Sequence, residues 1–273
     1  MKIFVPRKLF ILGVRFSYWW LFLVERTKTG IAGLDKALNG GIPQKNIVLV
    51  SGGAGTGKST LCLQYLYNGA KQFGEKGLYL STEQSRQELF KTALGFGMDL
   101  ESLEKQNLIK IVFFDVVETD NFLQKIYDLY MSFKPKRIVL DSLTTFTDSL
   151  MVSGVREETA FSLVQIAESV SPVPRTEKVI AKTLLYHLFK KLRLFDATMM
   201  LTSELGEESK FLSADEVSEF IADGVIILYY LGIGASDSRT IQIRKLRYSN
   251  HEKDSVPYTI GDKGIEIIYN AKF

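Results

Sequence analysis

Apolar and polar positions change period several times along the chain, and each change marks an element. Asn46–Ser51 (NIVLVS) is an unbroken β-branched and apolar run, the pattern of a strand buried on both faces. From Lys58 to Lys71 the apolar positions fall at Leu61, Tyr65, Leu66 and Ala70, the spacing of one helix face. Gly77–Thr82 (GLYLST) predicts a second strand, and Gln84–Gly95 a helix closed by a glycine. Leu108–Phe114 predicts a third strand, and Asp120–Phe133 a helix with Leu123, Ile126, Leu129 and Tyr130 on one face. Arg137–Leu140 predicts a fourth strand. Glu157–Ser169 and Glu177–Phe195 predict helices joined through Pro172 and Pro174, before a fifth strand at Ala197–Thr202. Beyond Asp223 only strand patterns remain: Val225–Leu231, Arg239–Arg247, Tyr258–Ile260 and Ile265–Tyr269. This alternation predicts an α/β fold, a mostly parallel sheet flanked by helices, with antiparallel strands at the C-terminus. No internal repeat or linker interrupts it, so one domain is expected over 27–273.

The first 26 residues follow another pattern. Met1–Lys8 is basic, and Phe10–Val24 reads FILGVRFSYWWLFLV with Arg15 inside it. That run is shorter than the ~20 residues of a membrane span. Glu25-Arg26-Thr27-Lys28 follows it with no small-residue cleavage site, so it is not a signal peptide. Three readings stay open. Residues 1–24 form an interfacial or partner-docking helix anchored by Trp19 and Trp20, with weak membrane contact. They pack on their own domain. Or they arise from an upstream start codon, with the natural start near Leu23 or Val24.

Composition narrows the picture little further. At 273 residues, 46% hydrophobic and 24% charged, the chain is neither disordered nor a disulfide scaffold. Its 34 Lys+Arg against 31 Asp+Glu leave +3, too mild to predict nucleic-acid binding from charge. Cys62 is the one cysteine, so no internal disulfide forms, and with only His187 and His251 beside it a zinc site is not expected. A reducing cytoplasm suits this composition.

The chemistry lies in short motifs. Gly52-Gly53-Ala54-Gly55-Thr56-Gly57-Lys58-Ser59 matches G-x-x-x-x-G-K-[ST] between a strand and a helix. Its glycines let backbone N–H groups at Gly53, Ala54, Gly55, Thr56, Gly57, Lys58, Ser59 and Thr60 point at phosphates, beside the positive end of the helix. Lys58 reaches the β/γ-phosphates, and the Ser59 hydroxyl is a Mg²⁺ ligand. Asp141 ends an apolar strand, as a Mg²⁺-holding carboxylate does in P-loop enzymes, although strand ends favour Asp for turns as well. Glu83 ends another strand, where a carboxylate orients or deprotonates water, or is an ordinary polar terminus. Lys245 and Arg247 share one face of a late strand with His251 just after it. From the residues alone they read as charges on a solvated edge strand. Cys62 and the helix aromatics are expected in the core.

Together these residues resemble the KaiC-like branch of the RecA superfamily, over about Arg26 to Ile268. The segments that carry it are TKTGIAGLDKALNGGIPQKNIVLVSGGAGTGKST (Thr27–Thr60), LYLSTEQS (Leu78–Ser85), RIVLDSLT (Arg137–Thr144), MLTSE (Met200–Glu204), EFIADGVIIL (Glu219–Leu228) and RKLRYSNH (Arg244–His251). The resemblance implies a RecA-like core, Mg-ATP as ligand, and a homo-oligomer, often a hexameric ring, with ATP between neighbours. It implies that Lys58, Ser59 and Asp141 serve phosphate and magnesium, and that Glu83 is the first of two adjacent catalytic glutamates. Gln84 stands where the second glutamate usually is, and glutamine is not a base. It further implies that Lys245, Arg247 and His251 reach the neighbouring subunit's nucleotide. The circadian clock members carry two such domains and this chain one, so a clock role is not expected.

Three functions compete: an ATPase completed by its neighbour, an ATP-gated switch that recruits a protein partner with little turnover, and a recombinase-like DNA-binding ATPase. For the last, Arg156, Arg175, Lys178 and Lys182 are candidate channel cations or ordinary solvated charges.

Overall fold

The computed structural model describes residues 24–114, 122–152, 177–206, 209–231 and 238–269. The N-terminal segment, the helix expected at 157–169, Arg156 and Arg175 lie outside the described residues.

A nine-stranded sheet organises the chain. Its strands are β3 (Ile47–Gly52), β4 (Gly77–Ser81), β5 (Ile109–Phe113), β6 (Arg137–Asp141), β7 (Thr198–Glu204), β8 (Gly224–Leu231), β9 (Ser238–Leu246), β10 (Val256–Gly261) and β11 (Gly264–Ile267). Their order is β11-β10-β9-β8-β3-β7-β6-β4-β5. The six from β8 to β5 run parallel, and β9, β10 and β11 add antiparallel pairs. A two-stranded ribbon of β1 (Arg26–Thr27) and β2 (Ile42–Pro43) precedes it. Between these two lies the short helix α1 (Leu34–Ala37).

Side chains of the parallel strands alternate between two cores. Even positions of β3 and β7 (Val48, Val50, Met200) and odd positions of β4 and β6 (Tyr79, Val139) face α2 (Lys58–Phe73), which buries Leu61, Tyr65 and Leu66 there. The opposite positions (Ile47, Leu49, Leu78, Ile138, Leu140, Met199, Leu201) meet α5 (Phe122–Phe133), α6 (Leu143–Val152) and α7 (Glu177–Leu192) through Ile126, Phe146, Leu185 and Phe189. Burial on both faces explains the unbroken apolar runs of these strands.

Four short helices escape the periodicity argument. α1 and α8 (Ser218–Ile221) are single turns, and α4 (Leu100–Lys105) is six residues started by the Asp99 side chain accepting from Ser102 N. α6 is built from LTTFTDSLMV, whose threonines are weak helix formers, so its conformation is set by packing after β6. The helix α3 (Arg86–Gly95) keeps its expected place and starts with a Ser85–Glu88 capping box. Cys62 and Tyr65 are buried as expected, but Tyr127 and Tyr186 are exposed. The strand carrying Lys245 is not an edge strand. β9 lies between β8 and β10, although β10 pairs only with Arg239, Thr240 and Ile241 and leaves the outer flank beyond Ile243 open.

One buried cation ties α2 to the sheet. Arg137 is wholly inaccessible at the start of β6. Its Nε donates to Glu75 Oε2 at 2.6 Å, its Nη1 donates to Tyr65 O at 2.9 Å, and its guanidinium lies 4.6 Å from the Tyr65 ring centroid.

Candidate nucleotide site

The loop from Gly53 to Gly57 leaves the carboxyl end of β3 and turns into α2. Gly55 and Gly57 hold φ of 72° and 91°, the left-handed region that glycine enters freely. At Gly57 a Cβ would also lie 2.7 Å from Ile260 Cδ1, so a side chain is excluded twice. Thr56 is buried and pins the loop from inside, its Oγ1 donating to Gly53 O at 2.8 Å. Tyr258 of β10 donates to Thr56 O at 2.5 Å, and burial pushes its phenol up to about 12. Ala54 and Gly55 are exposed at the crest. Lys58 Nζ donates to Gly52 O at 2.9 Å and Gly53 O at 3.1 Å, which folds its ammonium back over the loop. Thr60 is buried one residue past Ser59.

The carboxylates stand beside this loop because the strands that end in them are neighbours. Ser81 pairs with Asp141, and Gly52 pairs with Glu204. Asp141 is buried and held on both oxygens: Tyr79 Oη donates to Oδ2 at 2.5 Å and Thr202 Oγ1 donates to Oδ1. Burial, then the Asp141 charge, drives the Tyr79 phenol well above its ordinary value, so it stays a donor. Burial does the same to the Cys62 thiol, which excludes it from nucleophilic chemistry. Glu83 is exposed just past β4, and its Oε1 accepts from Thr145 Oγ1 at 2.7 Å and from Ser142 Oγ. Those two bonds orient the carboxylate and leave Oε2 open. Gln84 turns away: its backbone brackets the Ser81 hydroxyl, and its Oε1 is buried without a hydrogen-bond partner.

The donor set fits magnesium. Mg²⁺ takes few protein ligands and keeps several waters. One serine and one aspartate beside a phosphate loop suit that habit, and no group of three or more His, Cys, Asp or Glu that could hold a metal occurs among the described residues.

Lys245 and Arg247 lie down the sheet from their own phosphate loop, and His251 lies against the backbone of Ile243 on the flank of β9. Lys245 pairs with Val225 and through it with Leu49, three residues before Gly52, or roughly 10 Å down the strand. Arg247 N donates to Asp223 O, and Asp223 N to Ile47 O, roughly 17 Å below Gly52. Lys245 Nζ donates to Glu219 O and Phe220 O, both at 3.1 Å, and burial lowers its pKa, with Arg247 adding to the shift. Arg247 Nη1 donates to Asp223 Oδ1 at 3.1 Å, beside Arg193, whose Nη1 donates to both oxygens of Asp223 at 3.0 and 2.9 Å. His251 is half-buried, and burial pushes its pKa down. Lys245 and Arg247 stand near each other, while His251 lies against the Ser249 and Ile243 backbone instead.

Relatives carry the same architecture. The KaiC ATPase family model matches residues 27–169 and 162–272. The chain belongs to the KaiC ATPase family. A UPF0273 protein of Thermotoga maritima is 32% identical over 252 residues, covering 92% of this chain and 98% of that one. The circadian clock oscillator protein KaiC of Synechococcus elongatus is 30% identical over 254 residues, covering 89% of this chain and 44% of that protein. The chain thus spans a little under half the length of the clock proteins it matches. The crystal structure of a KaiC-like protein from Pyrococcus horikoshii superposes with a TM-score of 0.73 at 33% identity, covering 90% of this chain and 99% of that one. The RecA-like α/β core with antiparallel C-terminal strands, expected from the sequence, is therefore the fold of a KaiC-like domain. Among the described residues no helix is long and apolar enough to cross a membrane.

Sequence reasoning missed Tyr79, Thr202, Ser142, Thr145 and Tyr258. Tyr79 carries one faint signal, a hydroxyl between the apolar Leu78 and Leu80 of a strand buried on both faces.

Proposed function

We propose that this KaiC-family chain binds Mg-ATP at the Gly53–Thr60 loop and hydrolyses it in a homo-oligomer, a hexameric ring being the plausible form. The observation that carries the reading is the placement of Lys58, Asp141 and Glu83 at or just past the carboxyl ends of β3, β6 and β4 in one parallel sheet. Lys58, now turned onto the carbonyls of Gly52 and Gly53, swings to the phosphates when they arrive. Ser59 and Asp141 would hold Mg²⁺, directly or through water, and the ion would supply charge neutralisation at the phosphate oxygens. Glu83 accepts from Ser142 and Thr145 through Oε1 and offers Oε2 to the attacking water. The remaining cations come from a neighbour. Lys245 and Arg247 sit down the sheet from their own phosphates, and with His251 they would serve a neighbour's, where a cation supplied from outside stabilises charge on the transferred group.

Phosphate release across a wide range of protein concentration tests this. Specific activity is expected to rise with concentration, and Glu83→Gln is expected to keep ATP binding and lose turnover. Full activity in that variant discards the water-orienting role. Gln84 favours a second reading, an ATP-gated switch with little turnover that recruits a protein partner. ATP binding with no release at any concentration would select it. DNA binding has less support: Lys178 and Lys182 both lie on α7, and Lys182 is exposed, as an ordinary solvated charge would be. The setting that fits buried, unpaired Cys62 is a reducing cytoplasm.

A further inference from the structure

Asp141 is satisfied from within the fold before any metal reaches it. Its Oδ2 accepts from Tyr79 Oη at 2.5 Å and its Oδ1 from Thr202 Oγ1. Tyr79 and Thr202 are wholly inaccessible, and Asp141 is 5% exposed. The three stand on β4, β6 and β7, which lie side by side, and all face α2. Water therefore does not compete for these bonds. A carboxylate only accepts, so both hydroxyls donate to Asp141. Tyr79 thus reaches Asp141 from β4 while Thr202 reaches it from β7, one donor to each oxygen.

We propose that Tyr79 is a positioning residue of the magnesium site, fixing Asp141 through its proton. The inference rests on the Mg-nucleotide reading above and deepens it. Thr202 fixes the other oxygen of the same carboxylate. Phenylalanine at position 79 would keep the ring and its packing and lose the bond to Asp141.

The test uses the full chain, ADP as a nucleotide that does not turn over, and Mn²⁺ as a paramagnetic substitute for Mg²⁺. Electron paramagnetic resonance measures Mn²⁺ uptake with ADP, and calorimetry measures ADP binding in EDTA. Removing a partner of a metal ligand weakens metal affinity by about 10–100-fold. Tyr79→Phe is expected to weaken Mn²⁺ by about that factor with metal-free ADP binding unchanged. Thr202→Val is expected to weaken it less. Wild-type Mn²⁺ affinity in Tyr79→Phe overturns the proposal. If Tyr79→Phe does not fold, Thr202→Val decides, since it removes the other donor to the same carboxylate. Unchanged Mn²⁺ affinity there overturns the proposal as well. A wild-type chain that binds ADP but takes up no Mn²⁺ overturns the underlying magnesium reading instead.

Discussion

Gly69 sets two rules of protein stability against each other. It lies inside α2 with ordinary helical backbone, so replacing it by alanine should stabilise the helix by about 0.5–1 kcal/mol. The fold demands the opposite. A Cβ at Gly69 would sit 2.3 Å from Arg137 Nε, 2.4 Å from Cδ and 2.7 Å from Cζ. Arg137 cannot step aside, because Glu75, the Tyr65 carbonyl and the rings of Tyr65 and Phe73 enclose it. Overpacking of this kind costs about 1–3 kcal/mol. Separating a buried ion pair costs about 3–5 kcal/mol, but the Glu75 side chain is 33% exposed, so about half of that applies. With about 2 from each source and about 1 returned by helix propensity, Gly69→Ala should lose about 3 kcal/mol. At roughly 2–4 °C per kcal/mol for a domain of this size, the melting temperature should fall by about 6–12 °C. Urea denaturation and calorimetry measure both. In an Arg137→Met background the same alanine should be neutral or stabilising, because the clash has gone. A single Gly69→Ala variant as stable as the parent, or more so, would refute the view that a trapped guanidinium dictates glycine here.

Three further outcomes follow from named contacts. Asp223→Ala leaves the half-exposed Arg193 and Arg247 without their shared carboxylate and strips Ile47 N of its acceptor, so urea denaturation should show a loss of about 2–3 kcal/mol. His251 has its pKa lowered by burial, so the folded state resists its protonation; stability should hold above its ordinary value near 6.5 and decline as the pH drops below it. His251→Gln should flatten that part of a pH–stability curve, and an unchanged slope would show that His251 titrates freely. Asp196 is held down to about 2 by hydrogen bonds from Lys136 and Lys45, so its contribution is present above about pH 4 and is lost between there and pH 2. Both lysines are more than half exposed, so Asp196→Asn should cost about 1 kcal/mol or less at pH 7, read from urea midpoints at pH 7 and pH 3.

What was legible in the sequence was what period and local chemistry encode. The buried strands announced themselves as apolar runs, and the phosphate loop as a spacing no ordinary turn needs. Asp141 and Glu83 were legible as strand-end carboxylates, but their adjacency was not, because strand order is a long-range property. β4 and β6 are neighbours in space with α3, α4, β5 and α5 between them in sequence. The same limit hid Tyr79 and Thr202, whose roles exist only because their strands flank β6. Arg137 was legible only as the first residue of the strand expected at Arg137–Leu140. Only the packing of α2, with Gly69 facing it, makes it the most enclosed cation among the described residues. Lys245 looked like an edge-strand charge because sequence pattern cannot say that β10 would cover β9, or that it would stop short of that lysine.

The contacts of Arg247 bear on whether neighbours complete one another's sites. Arg247 shares Asp223 with Arg193, and Arg193 makes two bonds to that carboxylate while Arg247 makes one. If Arg247 leaves for a neighbour's phosphate, Asp223 keeps its partner, and an arginine side chain 45% exposed gives up about 1 kcal/mol or less. The cation is thus held but not locked. Arg247→Ala should therefore leave stability nearly unchanged and reduce phosphate release strongly, whereas Arg193→Ala should do the reverse. A mixture makes the test stringent. Glu83→Gln subunits lack the water-orienting group, Arg247→Ala subunits lack the donated cation, and each is inactive alone. In a head-to-tail ring formed from both in equal amounts, about a quarter of the interfaces pair an intact Glu83 with an intact Arg247, and about a quarter of wild-type activity should return. Cations that served their own nucleotide could not give this result, because no subunit carries both groups. A mixture as inactive as its parts would place Arg247 outside the site and return it to the structural role its bond to Asp223 already supplies.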